Sequence, residues 1–429
     1  CALGVASNTA QAGSELAALL DILLENGTIS SAQHHRLTAE INQDTKSPET
    51  LQESLVSPRK RDATPASDPR LSFTSKHKFE NSSPNIGGRV EAHSALYKDD
   101  GVNLGDGSEI RRARLNIKGK LDDHWAYKFE YDFVQGDTKG IKDAYIAYNS
   151  KPSTTWLAGS FRPFYSLEFQ ANSHANTFIE RALPFAFAPG WRSGIGVKHS
   201  GNNWTAESGL FGGKVGQSKN TGDDELLFSG RFTWLPIKQE SSLLHLGVSG
   251  LWIDSGDQNS LSFSNTPESK VTNVKLANTG LITGVNKQQQ VGVEASWMLD
   301  RWNLQGEYMA SHLNRDTQNL EFDGWYIQAS RFFSNDQRRY KKGKFLPVKP
   351  NNPFSKGAWG AWQAAIRYSE LDLNDQDIAG GALRQLSLAL NMYATTEIRL
   401  SAEYITVLEA VLGAESEPDI LQFRIEWVL

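Results

Sequence analysis

Apolar and polar side chains alternate in short segments from residue 86 to the end of the chain. Between 111 and 121, Ala113, Leu115, Ile117, Gly119 and Leu121 fall on one face of an extended strand, and Arg112, Arg114, Asn116, Lys118 and Lys120 on the other. After the polar turn Asp122 to His124 the alternation resumes, with Trp125, Tyr127, Phe129, Tyr131 and Phe133 opposite Lys128, Glu130 and Asp132. A hairpin with one aromatic and one charged face needs two solvents, and lipid outside with water inside a transmembrane barrel supplies them. The chain ends in the same way, Phe423, Ile425, Trp427 and Leu429 alternating with Gln422, Arg424 and Glu426.

The pattern predicts sixteen strands, at 86–97, 108–121, 124–135, 139–149, 154–161, 192–199, 203–212, 226–236, 242–254, 289–300, 302–312, 323–335, 357–371, 382–394, 397–409 and 418–428. An even number suits a closed antiparallel barrel with both ends on one side, so the predicted fold is an all-β transmembrane barrel with a short N-terminal helical arm. The connections predict its orientation. Asp122–His124, Ser150–Ser153, Gly201–Asn202, Asp300–Arg301 and Thr395–Thr396 are short, as periplasmic turns are, whereas Phe161–Trp191, Gly213–Glu225 and Ser255–Gln288 are long. Asn335–Lys356 breaks the rule: it lies on the short-turn side, spans some twenty residues and carries Arg338, Arg339, Lys341, Lys342 and Lys344. It either folds toward the lumen or is a solvated basic loop.

Ahead of the barrel, Leu16, Leu19, Leu20, Ile22, Leu23 and Leu24 recur near the helical period, with Ser14 as a cap and Asn26-Gly27 as a stop, so 13–45 reads as a helical periplasmic arm. It either self-associates as a coiled coil or lies on the barrel mouth. Residues 46–85 are rich in Ser, Pro and charge and read as a flexible linker. Residues 1–12 read as the remnant of a signal peptide ending at Ala10-Gln11-Ala12; the competing reading makes Cys1 an acylated lipoprotein cysteine.

Composition narrows the picture further. A mean hydropathy of -0.46, with no apolar run long enough for a membrane helix, leaves a barrel open because only alternate residues meet lipid. Cys1 is the single cysteine, which excludes an intrachain disulfide or multi-cysteine metal site. A net charge of -5 argues against a globally basic nucleic-acid binder. The histidines have no metal-ligand spacing and no nucleophile elbow or phosphate-cradling loop is present, so neither enzyme activity nor a cofactor is expected.

Several further segments carry a family likeness. The hairpin 111–133, the stretches 161–168, 178–184 and 188–190, and 325–340 followed by 357–362 and 367–369 resemble the phosphate-selective porin O/P family in content and order. The N-terminal arm is similar to that family's periplasmic coiled-coil segment. The resemblance implies a trimeric, sixteen-stranded outer-membrane porin for anions in a Gram-negative bacterium, with Phe161–Trp191 and Asn335–Lys356 folded into the lumen. Gln363 and the turn Phe333 to Asp336 depart from the family pattern, which puts the substrate in question more than the fold.

The strand phases place Arg112, Arg114, Lys118, Lys128, Arg162, Arg231, Arg367, Arg399 and Arg424 on the water-filled face. Arginine forks suit phosphate, and successive weak sites let an anion leave as well as enter. Arg181 is expected near the constriction, with Lys341, Lys342 and Lys344 at the periplasmic exit. The expected partners are phosphate or other small anions, outer-membrane lipid and two further copies of the chain. Glu130, Asp132, Glu294, Glu307, Glu403 and Glu426 also face inward, so a general or weakly selective porin is the alternative, as is a structural barrel whose arm tethers a periplasmic partner.

Overall fold

Sixteen antiparallel strands close into one barrel in the computed structural model, which describes residues 84–216, 222–412 and 414–429. The readings for 1–12, 13–45 and nearly all of the 46–85 linker lie outside the described residues. The strands are β1 (Asn85–Lys98), β2 (Gly107–Lys120), β3 (Trp125–Asp132), β4 (Ile141–Lys151), β5 (Thr154–Phe161), β6 (Arg192–Ser200), β7 (Trp204–Lys214) and β8 (Leu226–Lys238). They continue as β9 (Ser242–Asp254), β10 (Val285–Leu299), β11 (Trp302–Arg315), β12 (Leu320–Phe332), β13 (Ala361–Asp375), β14 (Ile378–Tyr393), β15 (Ile398–Leu412) and β16 (Asp419–Val428). Each pairs with its chain neighbours, and β1 closes the ring on β16 from Arg89 opposite Val428 to Lys98 opposite Asp419. Closure leaves no unpaired edge, which a sheet in hydrocarbon requires.

The burial pattern is inverted relative to a water-soluble protein. Gln363, Arg367 and Ser369 on β13 and Gln385, Ser387 and Asn391 on β14 are fully buried, while Ile366, Leu388 and Leu390 between them face out. The outward faces carry Trp125, Trp156, Trp234, Trp297, Trp302 and Trp427 among their exposed apolar residues. Apolar residues alternate outward because lipid, and not a protein core, is their solvent.

Several strand boundaries move from their predicted positions, β10 among them, which begins at Val285 and not at 289. β13 begins at Ala361 and not at 357, because Gly357 and Gly360 take φ values of 74° and 69°, which an extended strand cannot hold. β14 begins at Ile378, four residues before the predicted start, and the β13–β14 connection shrinks to the turn Gln376-Asp377. Hydropathy alone missed these ends because Ala379, Gly380 and Gly381 supply little alternation.

Candidate functional site

The β5–β6 loop, 162–191, turns into the lumen. A loop there has little regular structure to satisfy its peptide groups, so the wall must do it. Glu307 on β11 accepts from the backbone N–H groups of Leu167 and Glu168, both at 2.9 Å, and Glu403 on β15 accepts from Ile179 N–H at 2.9 Å. Hydroxyls of Ser229, Ser249 and Ser369 accept from Phe164, Ser166 and Leu183.

The carbonyl groups of the same loop are held by cations. Arg399 donates to Asn176 O at 2.7 Å and to Thr177 O at 2.6 Å, Arg367 donates to Glu180 O at 3.2 Å, and Arg424 donates to Ile179 O at 3.2 Å. Arg162 caps the carbonyls of Phe169, Gln170 and Ala171 from within the loop. Hydrogen bonds to a charged group contribute about 1.5–3 kcal/mol each, so together these contacts pin the loop.

Two other segments enter the lumen. In the β9–β10 connection, 255–284, Phe263 packs on Phe187 with ring centroids 5.0 Å apart, Asn265 donates to Leu183 O at 2.9 Å, and Glu268 pairs with Arg367. This inward fold was not anticipated from the sequence, where the segment read only as a long outer loop. The β12–β13 connection forms a small hairpin, Arg339–Lys341 with Lys344–Leu346. Its two-residue tip, Lys342-Gly343, has φ values of 46° and 76°, the left-handed pair that a tight hairpin turn demands. The tip delivers Gly343 O to Arg231 at 2.7 Å, and Phe345 packs with Leu167, Ala171 and Ala175 of the β5–β6 loop.

The wall is therefore divided. Strands β8, β9 and β11 to β16 hold most of the inserted loop, with Arg111 and Arg112 of β2 on Glu180, whereas β2 to β7 carry a second set of cations. Trp191 stands at its centre: Lys142 lies 5.0 Å, Arg162 5.4 Å and Arg114 5.6 Å from its ring, and its indole N–H donates to Asp143 at 2.9 Å. On the outer side of this cluster, Lys139, Lys142 and Lys214 line a cavity of about 610 Å³ together with Trp191 and Glu225. At the end of the barrel with the short turns, Lys118, Lys120 and Lys128 line one of about 530 Å³. Among the described residues, Lys142, Arg162, Arg181 and Lys344 have no carboxylate within 4.0 Å.

Lys344 reaches from the small hairpin into the field of Lys198 and Arg162. The residue as a whole is exposed, yet desolvation of its amine by the surrounding wall, reinforced by those two cations, lowers it to about 8. Glu180 shows the opposite balance. Burial alone would raise it, but Arg111 at 2.7 Å and Arg112 at 3.6 Å hold it well below the ordinary carboxylate range.

The residues singled out from the sequence thus divide into groups. Arg367, Arg399 and Arg424 stand on the inner face but are covered by loop peptides. Arg112 is buried against Glu91, and Arg231 against Glu294 at 2.5 Å and Glu207 at 3.2 Å. Arg181 folds back on its own loop, donating to Glu168 O at 3.3 Å. Arg114 pairs with Asp132 at 2.8 Å and Glu130 at 3.1 Å, and Lys128 with Asp143 at 2.5 Å. Lys118, Lys341, Lys342 and Lys344 are exposed to water.

Arg111, Lys142, Lys198 and Trp191 were not singled out. Strict alternation puts Arg111 among the lipid-facing residues, but a bulge pairs Glu91 with Arg112 and Ala92 with Ile110, leaving Arg111 as the extra residue that turns inward to Glu180. The signal was present: Ile110 and Ala113 both belong outside, and an odd spacing between two outward residues requires a bulge. Among the described residues no group of three or more His, Cys, Asp or Glu is placed to hold a metal.

Comparison with known proteins agrees with this architecture. The profile of the family described as phosphate-selective porin O and P matches residues 85–427. An uncharacterized protein of Caulobacter vibrioides is 29% identical over 336 residues, covering 74% of this chain but only 65% of that protein. Porin O of Pseudomonas aeruginosa is 24% identical over 368 residues, 75% of this chain and 82% of the relative. Among solved structures, the anion-selective porin of Comamonas acidovorans shares the fold with a TM-score of 0.53 at 12% identity, over 81% of this chain and all of that one.

Proposed function

We propose, from the premise that this chain belongs to the phosphate-selective porin O and P family and is an outer-membrane porin, that small anions diffuse through it along the β2–β7 wall, with phosphate preferred. The observation that carries this reading is the cluster around Trp191. Among the described residues Arg162 and Lys142 are each bonded to neutral groups, with Lys344 nearby, so three cations adjoin the lumen without a direct ion pair of their own. A mobile anion is the natural complement, met by the amines of Lys142 and Lys344 and by the field of Arg162, whose terminal nitrogens are held by loop carbonyls.

Cationic cavities above and below the cluster would raise anion concentration at both mouths. Hand-over between Lys139 or Lys142, the Trp191 cluster, Lys344 and then Lys128 or Lys118 keeps each step shallow, as conduction requires. The assembly we infer is the homotrimer that the family implies. Planar-bilayer recording tests the reading: a chloride gradient should give an anion-selective reversal potential, and added phosphate should reduce the chloride current. Cation preference, or chloride current indifferent to phosphate, would refute it.

One set of contacts favours a second reading, a weakly selective anion porin. Lys128 is neutralised by Asp143 and Glu130, and Lys198 by Glu207 at 3.3 Å, and paired charges cancel at a distance. Anion selectivity without phosphate block would favour it.

A further inference from the structure

The β12–β13 connection does more than insert its hairpin; from the hairpin's base and its flanks it builds a second basic feature at the periplasmic rim. Arg339, Lys349 and Lys356 line a cavity of about 600 Å³ there, between residues 335–339, 349–356 and the β14–β15 turn at Thr396. Among the described residues none of the three has a carboxylate within 4.0 Å. The one carboxylate lining the cavity, Asp336, is buried and committed to the backbone N–H of Asn351 at 2.7 Å. Pro350 and Pro353 stiffen the lining.

Beside this cavity stands an aromatic pair with nothing packed over it. Trp359 is 80% exposed and Phe354 41%, their rings edge to face at 6.4 Å. Trp359 O accepts from the indole of Trp362 at 3.0 Å, which ties it to the outward side of the wall, on the same flank as Phe333. Aromatic rings at a barrel rim sit at the boundary between headgroups and hydrocarbon. Basic residues at that level attract anionic lipid.

We propose that this rim holds an anionic phospholipid of the periplasmic leaflet, its phosphate in the Arg339, Lys349 and Lys356 cavity and its acyl chains against Trp359 and Phe354. Among the described residues the three cations have no carboxylate partner, Arg339 donating only to Pro347 O, and they stand next to an apolar anchor, a combination that fits a ligand with one charged and one greasy end. Free phosphate shares the charge but has no use for the aromatic pair.

The test uses the whole purified chain in mixed micelles, with bound lipid counted by native mass spectrometry. Phosphatidylglycerol should be retained over phosphatidylcholine, and the double variant Lys349→Gln, Lys356→Gln should weaken that preference about tenfold while keeping the heat-resistant migration of a folded barrel. Equal retention of the two lipids, an unaffected double variant, or displacement of the lipid by excess inorganic phosphate would each overturn the proposal. A second measurement does not depend on the double variant folding. The fluorescence difference between wild type and Trp359→Phe should be quenched by brominated phosphatidylglycerol; an unquenched difference sinks the lipid contact.

Discussion

Arg399 Nη2 donates to the carbonyl oxygen of Thr177 at 2.6 Å. A fully buried wall arginine is thus spent on a loop peptide, and the second fork nitrogen takes the neighbouring carbonyl of Asn176 at 2.7 Å. Its positive charge shapes the lumen at a distance, but its donors are not free for a passing ion. Wall position alone therefore does not make an arginine an anion ligand.

Replacing Arg399 with Gln should loosen the β5–β6 loop more than it changes ion preference. Losing two charge-assisted contacts costs up to about 3–6 kcal/mol of loop docking. Single-channel records should show larger, noisier openings with little change in reversal potential. A collapse of anion selectivity would instead place Arg399 in the conduction path.

Lys344 and Lys142 carry the opposite expectation. Lys344→Gln should lower the anion-to-cation permeability ratio several-fold, and Lys344→Glu should lower it further, since a carboxylate there adds to Glu207 and Asp143 nearby. Reversal potentials in a salt gradient check both. Lys142→Gln should act in the same direction, because Lys142 bonds only to Gln135 and to the Lys139 carbonyl.

The same lysine predicts a pH dependence. With its amine lowered to about 8, Lys344 is charged at neutral pH and loses that charge as pH rises through 8. Anion selectivity should accordingly fall between about pH 7 and 9, since an amine titrates over roughly one unit either side of its midpoint. In Lys344→Arg the decline should be smaller than in the wild type. A wild-type profile flat over that range would remove Lys344 from the site.

Glu180 predicts an acid limit. Its folded-state carboxyl is held below the ordinary 4.5 by Arg111 and Arg112, so its contribution is present above 4.5 and is lost as pH falls through that value toward the folded one. Thermal melting should drop with acidification in the wild type. Glu180→Gln should be less stable at pH 7 and lose less on acidification, because Arg111 and Arg112 have already lost their shared partner.

Much of the barrel was legible because a strand in a lipid-facing wall repeats every two residues. Leu244, Leu246 and Val248, or Phe423, Ile425 and Trp427, announce their face locally, and each of the sixteen segments has its strand. What alternation handles badly is any departure from period 2. Arg111 sits in a bulge, and the weak alternation around Gly357, Gly360 and Gly380 blurred strand ends.

The sequence by itself determined the two-solvent design, the sixteen strands and, Arg111 apart, which of the singled-out strand charges face inward, since each depends on neighbours one or two residues apart. Only the tertiary structure decided which inward charges are occupied. Arg367 meets Glu268 across 99 residues of chain, and Arg399 meets Thr177 across 222. Such partners are set by where an irregular loop needs its peptide groups satisfied inside the barrel, and no local pattern encodes that need. The same folding of the loop brings Arg162 to Trp191 beside Arg114 and Lys142 of the β2–β4 wall.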